Sequence, residues 1–67
     1  MKAPLTSEIA ELRTTLQSFT SRFTRDREES RDLVQDTMLK ALMYKDKFMP
    51  DTNLKGWLFT IMRNTFI

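Results

Sequence analysis

The apolar residues of this chain recur every three or four positions, which is the spacing of an amphipathic helix. No segment alternates between apolar and polar residues with the period of a strand, and only one glycine and two prolines interrupt the chain. The first apolar stripe consists of Ile9, Leu12, Leu16, Phe19 and Phe23. It predicts a first helix that begins at a cap formed by Thr6 or Ser7.

A second helix is predicted from Asp26 to about Lys47. Asp26 and Glu29 have the spacing of a capping box, with aspartate as the capping residue. On a helical wheel of about 100° per residue, one side carries the residues expected in the core: Val34, Thr37, Met38, Ala41, Tyr44 and Phe48, with Leu33 and Leu42 at its edges. The other side carries Asp32, Gln35, Asp36, Leu39 and Met43.

A third helix is predicted after the joint at residues 49–53, where Pro50 disfavours a helical conformation at Met49. Thr52 or Asn53 is expected to cap it. Its segment, LKGWLFTIMRNTFI, is apolar nearly all round, and such a helix is normally buried on every side. Because two other helices cannot surround it, we expect the chain to be cut from a larger domain. The predicted fold class is all-α, a small bundle of three helices.

Composition excludes several classes of site. The chain has 67 residues, enough for one domain, and it has neither cysteine nor histidine. The commonest metal ligand and general base is therefore missing, and we expect no cofactor, no metal site, no small-molecule substrate and no enzymatic activity. No window has the length and apolar character of a signal peptide or a membrane span, so a cytoplasmic protein without membrane contact is expected.

Charge is unevenly distributed along the chain. The formal net charge is +2, but residues 1–36 carry a net charge of −1 and residues 37–67 carry +3. The positive excess therefore lies beside most of the aromatic residues, which hints at an anionic partner for that half.

Leu39 and Met43 lie among polar side chains on the outward side of the second helix. Asp32, Gln35 and Asp36 occupy positions i, i+3 and i+4, so their side chains project from one patch. From the residues alone, two interpretations stay open. The patch is either a solvated face with two exposed apolar residues, which is ordinary, or a docking surface with an aliphatic centre and a charged rim for a basic partner.

The third helix carries a second candidate site, formed by Lys55, Trp57, Phe59, Arg63 and Asn64. Aromatic faces and cations suit single-stranded nucleic acid, and the asparagine amide suits the edge of adenine. A purely structural interpretation competes with this one. Trp57 shares an arc with Leu54, Leu58 and Ile61 and is favoured as a core residue, whereas Phe59, Thr60, Arg63 and Ile67 are expected on the surface. Gly56 is expected to be either a point of close approach or a neutral surface glycine.

The segments DLVQDTMLKAL and LKGWLFTIMRN, in this order and joined by a short proline-containing loop, resemble region 2 of bacterial sigma factors. The extracytoplasmic-function (ECF) group is the most similar. The resemblance implies a sigma region 2-like domain over residues 1–67, truncated at its C-terminus and without the promoter-reading region 4. It also implies that Asp32, Gln35 and Asp36 dock on the clamp helices of the β′ subunit of core RNA polymerase. Leu39 and Met43 would then form the apolar part of that contact.

The same resemblance implies that the third helix helps to recognise and melt the promoter −10 element. The DNA-binding residues would be Lys55, Trp57, Phe59, Arg63 and Asn64, with Lys45 and Lys47 as further phosphate contacts. The expected function is transcription initiation, with core RNA polymerase, promoter DNA and an anti-sigma factor as candidate partners. The alternative is a sigma-like mimic that sequesters an anti-sigma protein without binding DNA.

Overall fold

The computed structural model describes residues 4–67, which contain four α-helices and no β-strand. The helices are α1 (Leu5–Glu11), α2 (Arg13–Phe19), α3 (Arg27–Met43) and α4 (Leu54–Phe66). Short 3₁₀ turns follow α2 at Thr20–Arg22 and α3 at Lys45–Lys47. The all-α class is confirmed, whereas the predicted count of three helices is wrong, because the first apolar stripe folds as two helices. The domain expected over residues 1–67 includes residues 1–3, which lie outside the described part of the chain.

Leu12 separates α1 from α2. Its backbone has φ −88° and ψ 4°, in the sparsely populated bridge region. Its N–H donates to the carbonyl of Ile9 at 3.1 Å, so the chain tightens by one 3₁₀-type turn at this point. The predicted caps Thr6 and Ser7 are wrong, because both lie inside α1. The helix begins after Pro4, whose carbonyl accepts a hydrogen bond from the N–H of Glu8 at 3.1 Å.

Asp26 caps α3, as its position in the sequence predicts. Its Oδ1 accepts hydrogen bonds from the N–H groups of Glu28 (2.8 Å) and Glu29 (3.3 Å). The N–H of Asp26 itself donates to Thr24 Oγ1 at 3.1 Å, so Thr24 takes the role that the capping-box pattern assigns to the Glu29 side chain. The backbone N–H groups of Asp26, Glu28 and Glu29 at the start of α3 therefore all have hydrogen-bond acceptors.

The C-terminal end of α3 differs from the prediction. The helix ends at Met43 rather than near Lys47, because the backbone of Tyr44 turns to φ −109° and ψ 18°. Tyr44 was expected in the core, and this is wrong: its side chain is 47% exposed, since the helical period no longer carries it inward. Leu42, expected at the edge of the core, is also exposed.

The core lies between α3 and the three other helices. Its buried apolar residues are Ile9, Leu16, Leu33, Val34, Ala41, Leu58 and Met62. Within residues 4–67, α4 is buried on one side only, because the other helices do not surround it. Thr60, Arg63 and Ile67 are exposed, as the sequence predicts.

Three polar side chains join the end of α2 to the start of α3. Thr20 and Ser30 are buried, and their hydroxyl groups are hydrogen bonded to each other. Thr20 Oγ1 donates its single proton to the carbonyl of Gln17 (2.6 Å), so Ser30 Oγ must donate to Thr20. Ser30 Oγ in turn accepts a hydrogen bond from Gln17 Nε2 at 2.6 Å. Each of the two buried hydroxyl groups thus donates one hydrogen bond and accepts one, which offsets the cost of removing it from water.

The joint between α3 and α4 is a tight turn. The N–H of Thr52 donates to the carbonyl of Met49 at 3.3 Å, and Pro50 and Asp51 occupy the two central positions. Asp51 has φ 68°, so the turn has the features of type II, which places proline first and a left-handed residue second. Of the two predicted caps, Thr52 and Asn53, it is Asn53 that caps α4, because its Oδ1 accepts the N–H of Gly56 at 3.1 Å.

We predict that Ser30→Ala lowers the free energy of unfolding by about 1–2 kcal/mol, because it leaves the buried Thr20 hydroxyl without one of its partners. Urea denaturation measures the change. Ser21→Ala is the matched control: its hydroxyl bonds the carbonyl of Ser18 at an exposed position, and the expected change is below about 0.5 kcal/mol. Equal stability of wild type and Ser30→Ala would contradict a stabilising role for this group.

Candidate functional site

The outward side of α3 forms a continuous surface, which we call the α3 ridge: Asp32, Gln35, Asp36, Leu39 and Met43. All five side chains are exposed, with Leu39 at 58% and Met43 at 64%. On the opposite side of the same helix, Val34 and Ala41 are fully buried. The predicted orientation of the helix is therefore confirmed.

The ridge is held outward by the packing behind it. Thr37, a polar residue on the buried side, donates its hydroxyl proton to the carbonyl of Leu33 at 2.7 Å, so no buried polar atom is left unpaired there. Leu42, one turn after Leu39, adds a third exposed aliphatic side chain beside the ridge. The wheel placed Leu42 at the edge of the core, although its spacing from Leu39 was a signal that the two share a surface.

The five residues proposed for nucleic-acid contact on α4 fall into two groups. Lys55, Arg63 and Asn64 are exposed. Trp57 and Phe59 are half-buried, and each packs against another aromatic ring. Trp57 lies 5.1 Å from Phe48, tilted by 50°. Phe59 lies 3.7 Å from Phe19, nearly parallel to it at 5°. The expectation that Phe59 belongs to the surface arc is thus wrong, because this ring is a packing element between α2 and α4.

The Phe59–Phe19 pair belongs to a row of aromatic rings that joins the first half of the chain to α4. Phe19 meets Phe23 edge-on at 5.6 Å, and Phe23 meets Phe66 at 5.3 Å. The guanidinium of Arg22 lies 5.1 Å from the centre of the Phe19 ring. These contacts fix the side of α4 that faces α2. Arg63 and Asn64 remain exposed to solvent.

A shallow hollow of about 190 Å³ lies between α3 and α4, next to Asn64. Its lining includes Lys40, Tyr44 and Thr65, and Lys40 Nζ donates a hydrogen bond to Thr65 Oγ1 at 3.2 Å. The ammonium of Lys47 lies 5.9 Å from the centre of the Tyr44 ring. The neighbourhood of Asn64 therefore contains an aromatic ring and two cations. The sequence did not indicate that Lys40 and Tyr44 lie beside Asn64. Helical spacing relates only residues of the same helix, and Asn64 belongs to a different helix.

Gly56 has a local structural role. A Cβ atom at this position would lie 3.0 Å from Nδ2 of Asn53. Because Asn53 caps α4 by accepting the N–H of Gly56, the missing side chain leaves room for the cap. The close neighbour at this glycine is the capping side chain, so the structure gives a reason for Gly56 that neither sequence interpretation contained.

Two other kinds of site receive no support from the described residues. Between residues 4 and 67, no three acidic side chains lie close enough together to hold a metal ion. None of the helices in this range combines the length and the apolar character needed to cross a bilayer.

Comparison with known proteins decides the family. The family model of sigma-70 region 2 matches residues 9–67. The chain belongs to the sigma-70 region 2 family. It is also similar to an ECF RNA polymerase sigma factor, EcfG of Rhodopseudomonas palustris (strain TIE-1), with 45% identity over 51 residues, which are 76% of this chain. These residues span 28% of the length of that relative. No solved structure matches the chain at a significant level.

The family match and the relative confirm the resemblance found in the sequence, including the ECF group. Sigma-70 region 2 is a domain of transcription initiation factors, so the α3 ridge and the outward side of α4 are surfaces of such a domain. The matched range begins in α1 and covers both surfaces.

We predict that Phe59→Ala lowers the free energy of unfolding by about 2–4 kcal/mol, because it removes a stacked ring from the contact between α2 and α4. Arg63→Ala, one turn further along the same helix and exposed, is the control, with an expected change below about 0.5 kcal/mol. Thermal or urea denaturation followed by circular dichroism separates the two. If Phe59→Ala proved as stable as Arg63→Ala, the packing role of the ring would be refuted.

Proposed function

We propose that this sigma region 2 domain docks on core RNA polymerase through the α3 ridge and helps to recognise and open the promoter −10 element through α4. The observation that carries the proposal is the outward position of Leu39 and Met43 among three polar side chains, while Val34 and Ala41 fill the core behind them. Two large apolar side chains at 58% and 64% exposure give a protein partner an apolar contact to bury.

The composition of the α3 ridge fits a basic helical partner. Protein interfaces combine an apolar centre with a polar rim. Here Leu39 and Met43 form the centre, and Asp32 and Asp36 supply negative charge one and two turns away. Acidic side chains at the rim speed encounter with a positively charged partner and oppose negatively charged ones. By resemblance, that partner is the pair of clamp helices of the β′ subunit.

The exposed polar residues of α4 fit DNA. Lys55 and Arg63 are exposed cations that can meet phosphate groups, and such pairing makes binding strongly dependent on salt. The exposed amide of Asn64 can donate to and accept from the edge of adenine. The hollow beside it, with Tyr44 and Lys40, adds a ring face and a cation. Stacking and hydrogen bonding of the extruded bases on this surface would offset part of the cost of opening the duplex.

Trp57 and Phe59 take a different part in this proposal from the three exposed residues. Both rings are engaged with Phe48 and Phe19 on the protein side. We assign them to holding α4 in place, with contact to DNA restricted to the ring edges that stay accessible.

The rival function is that of a sigma-like mimic, which would sequester an anti-sigma protein without touching DNA. Such a protein needs the α3 ridge but not the exposed Lys55, Arg63 and Asn64 on a separate surface. Their presence favours the sigma factor, with an anti-sigma factor as a further partner of the ridge. In this proposal the domain works in the cytoplasm, catalyses no reaction itself, and forms the region 2 part of a larger sigma factor.

We predict that Asp36→Arg abolishes binding to core RNA polymerase, because it places a cation against a basic partner surface. Co-purification with core enzyme measures binding, and circular dichroism checks that the helical content is unchanged. Asp36→Glu, which keeps the charge, should retain binding. Undiminished binding of Asp36→Arg would refute the docking surface, and so would unfolding of that variant, since Asp36 is exposed.

We predict that Asn64→Ala relaxes base preference at one position of the −10 element, with a loss of about 1–3 kcal/mol of discrimination. The assay titrates a library of −10 sequences against the holoenzyme assembled with the complete sigma factor. Thr60→Ala, exposed one turn earlier on α4, should leave the preference profile unchanged. A profile for Asn64→Ala identical to that of wild type would remove Asn64 from the residues that read the sequence.

A further inference from the structure

A second surface of the molecule is concave and lies apart from both proposed sites. α1 forms one wall of this groove, and the segment from Lys45 to Leu54 forms the other. Its volume is about 770 Å³, within the range of roughly 300–1,000 Å³ found for ligand sites. None of the α3 ridge residues and none of the five α4 residues proposed for DNA contact lines it. We call it the α1 groove.

The α1 groove has an apolar floor. Its apolar lining consists of Leu5, Leu12, Phe48, Pro50 and Leu54. Phe48 is fixed from behind by its contact with Trp57, and Pro50 is fixed by the turn at residues 49–52. The part of the floor formed by Phe48 and Pro50 is therefore preformed. Fewer side chains have to become ordered when a ligand binds, which lowers the entropic cost of binding.

The rim of the α1 groove is acidic. Glu8 and Glu11 lie on the α1 wall, and Asp46 and Asp51 lie on the other, with Lys45 as the single cation among the lining residues of the described range 4–67. These lining residues together have a formal charge of −3, although the whole chain has a net charge of +2. The two walls carry negative charge on both sides of the apolar floor, which is the arrangement that attracts a cationic ligand.

The chemistry of the groove limits its occupant. Nucleic acid and anionic lipid are repelled by carboxylates on both walls. A metal ion is unsuited, because no three acidic side chains of residues 4–67 come close enough to coordinate one. A small cation would leave the apolar floor uncovered. What remains is a ligand with aliphatic side chains flanked by lysine or arginine.

We propose that the α1 groove binds a cationic amphipathic peptide segment of a partner protein, with aliphatic side chains on the floor formed by Leu12, Phe48 and Leu54 and basic side chains against the rim carboxylates. This is the binding mode in which an amphipathic helix lays its apolar side into a groove. The proposal does not rest on the polymerase and DNA surfaces. Of the residues named for those surfaces only Lys45, a predicted phosphate contact, lines the groove, and the proposal gives it no role.

The test uses two fluorescent peptides of about 14 residues, roughly 21 Å long as helices. Both carry leucine at helical spacing on one side; the other side carries lysine in the probe and glutamate in its counterpart. Fluorescence anisotropy at low salt should show binding of the lysine peptide only. The exposed pair Glu11→Lys and Asp46→Lys should weaken that binding by roughly tenfold or more. The pair Asp32→Lys and Asp36→Lys, with the same change in net charge but on the α3 ridge, should weaken it far less.

Amide chemical shifts locate the binding site directly. On addition of the lysine peptide, shifts should concentrate in residues 5–12 and 45–54. Shifts centred on the α3 ridge, equal binding of the glutamate peptide, or equal effects of the two variant pairs would overturn the proposal. A dimer of this chain that Glu11→Lys and Asp46→Lys dissolve would also overturn it, since the groove would then hold a second copy. Core polymerase binding by the same variants tests the proposed function separately.

Discussion

The packing of one side of α3 against the rest of the bundle is the constraint on which the structure depends. Val34, Thr37 and Ala41 leave almost no surface to water, so the rotation of the helix about its axis is fixed. In a chain of 67 residues the buried area is small, and few side chains can be moved without exposing the core. The outward position of Leu39 and Met43 follows directly: they are exposed because the opposite side is fully occupied.

The sequence was sufficient where one local pattern decides the outcome. The Asp26 cap follows from spacing and residue type alone, and so do the buried position of Val34 and Ala41 and the exposed position of Leu39 and Met43 on α3. For α4, these signals narrow the cap to Thr52 or Asn53. It was insufficient where contacts between distant residues decide. Phe59 lies on the arc that the wheel assigned to the surface, yet the ring of Phe19, forty residues earlier, covers it. Tyr44 was assigned to the core because the wheel was extended past the point where the helix ends.

The candidate sites show the same division. The α3 ridge comes from one helix and could be predicted with the residues that form it. The hollow beside Asn64 and the α1 groove each combine residues of two distant segments. The periodicity of a single helix therefore cannot predict either of them. The sequence also did not predict the hydrogen-bonded polar groups in the interior. The hydroxyl groups of Thr20 and Ser30 join the turn after α2 to α3. Because hydrogen bonds are directional, this contact helps to fix how the two segments align.

The turn at residues 49–52 has a mechanical consequence. Only ten residues separate the end of α3 from the start of α4, and they are stiffened by a proline, a left-handed aspartate and a capping asparagine. The connection therefore restricts the orientation of α4 relative to α3. In the proposed function, a polymerase subunit bound to α3 would also set the direction of α4 through this connection, and with it the position of the DNA that α4 contacts.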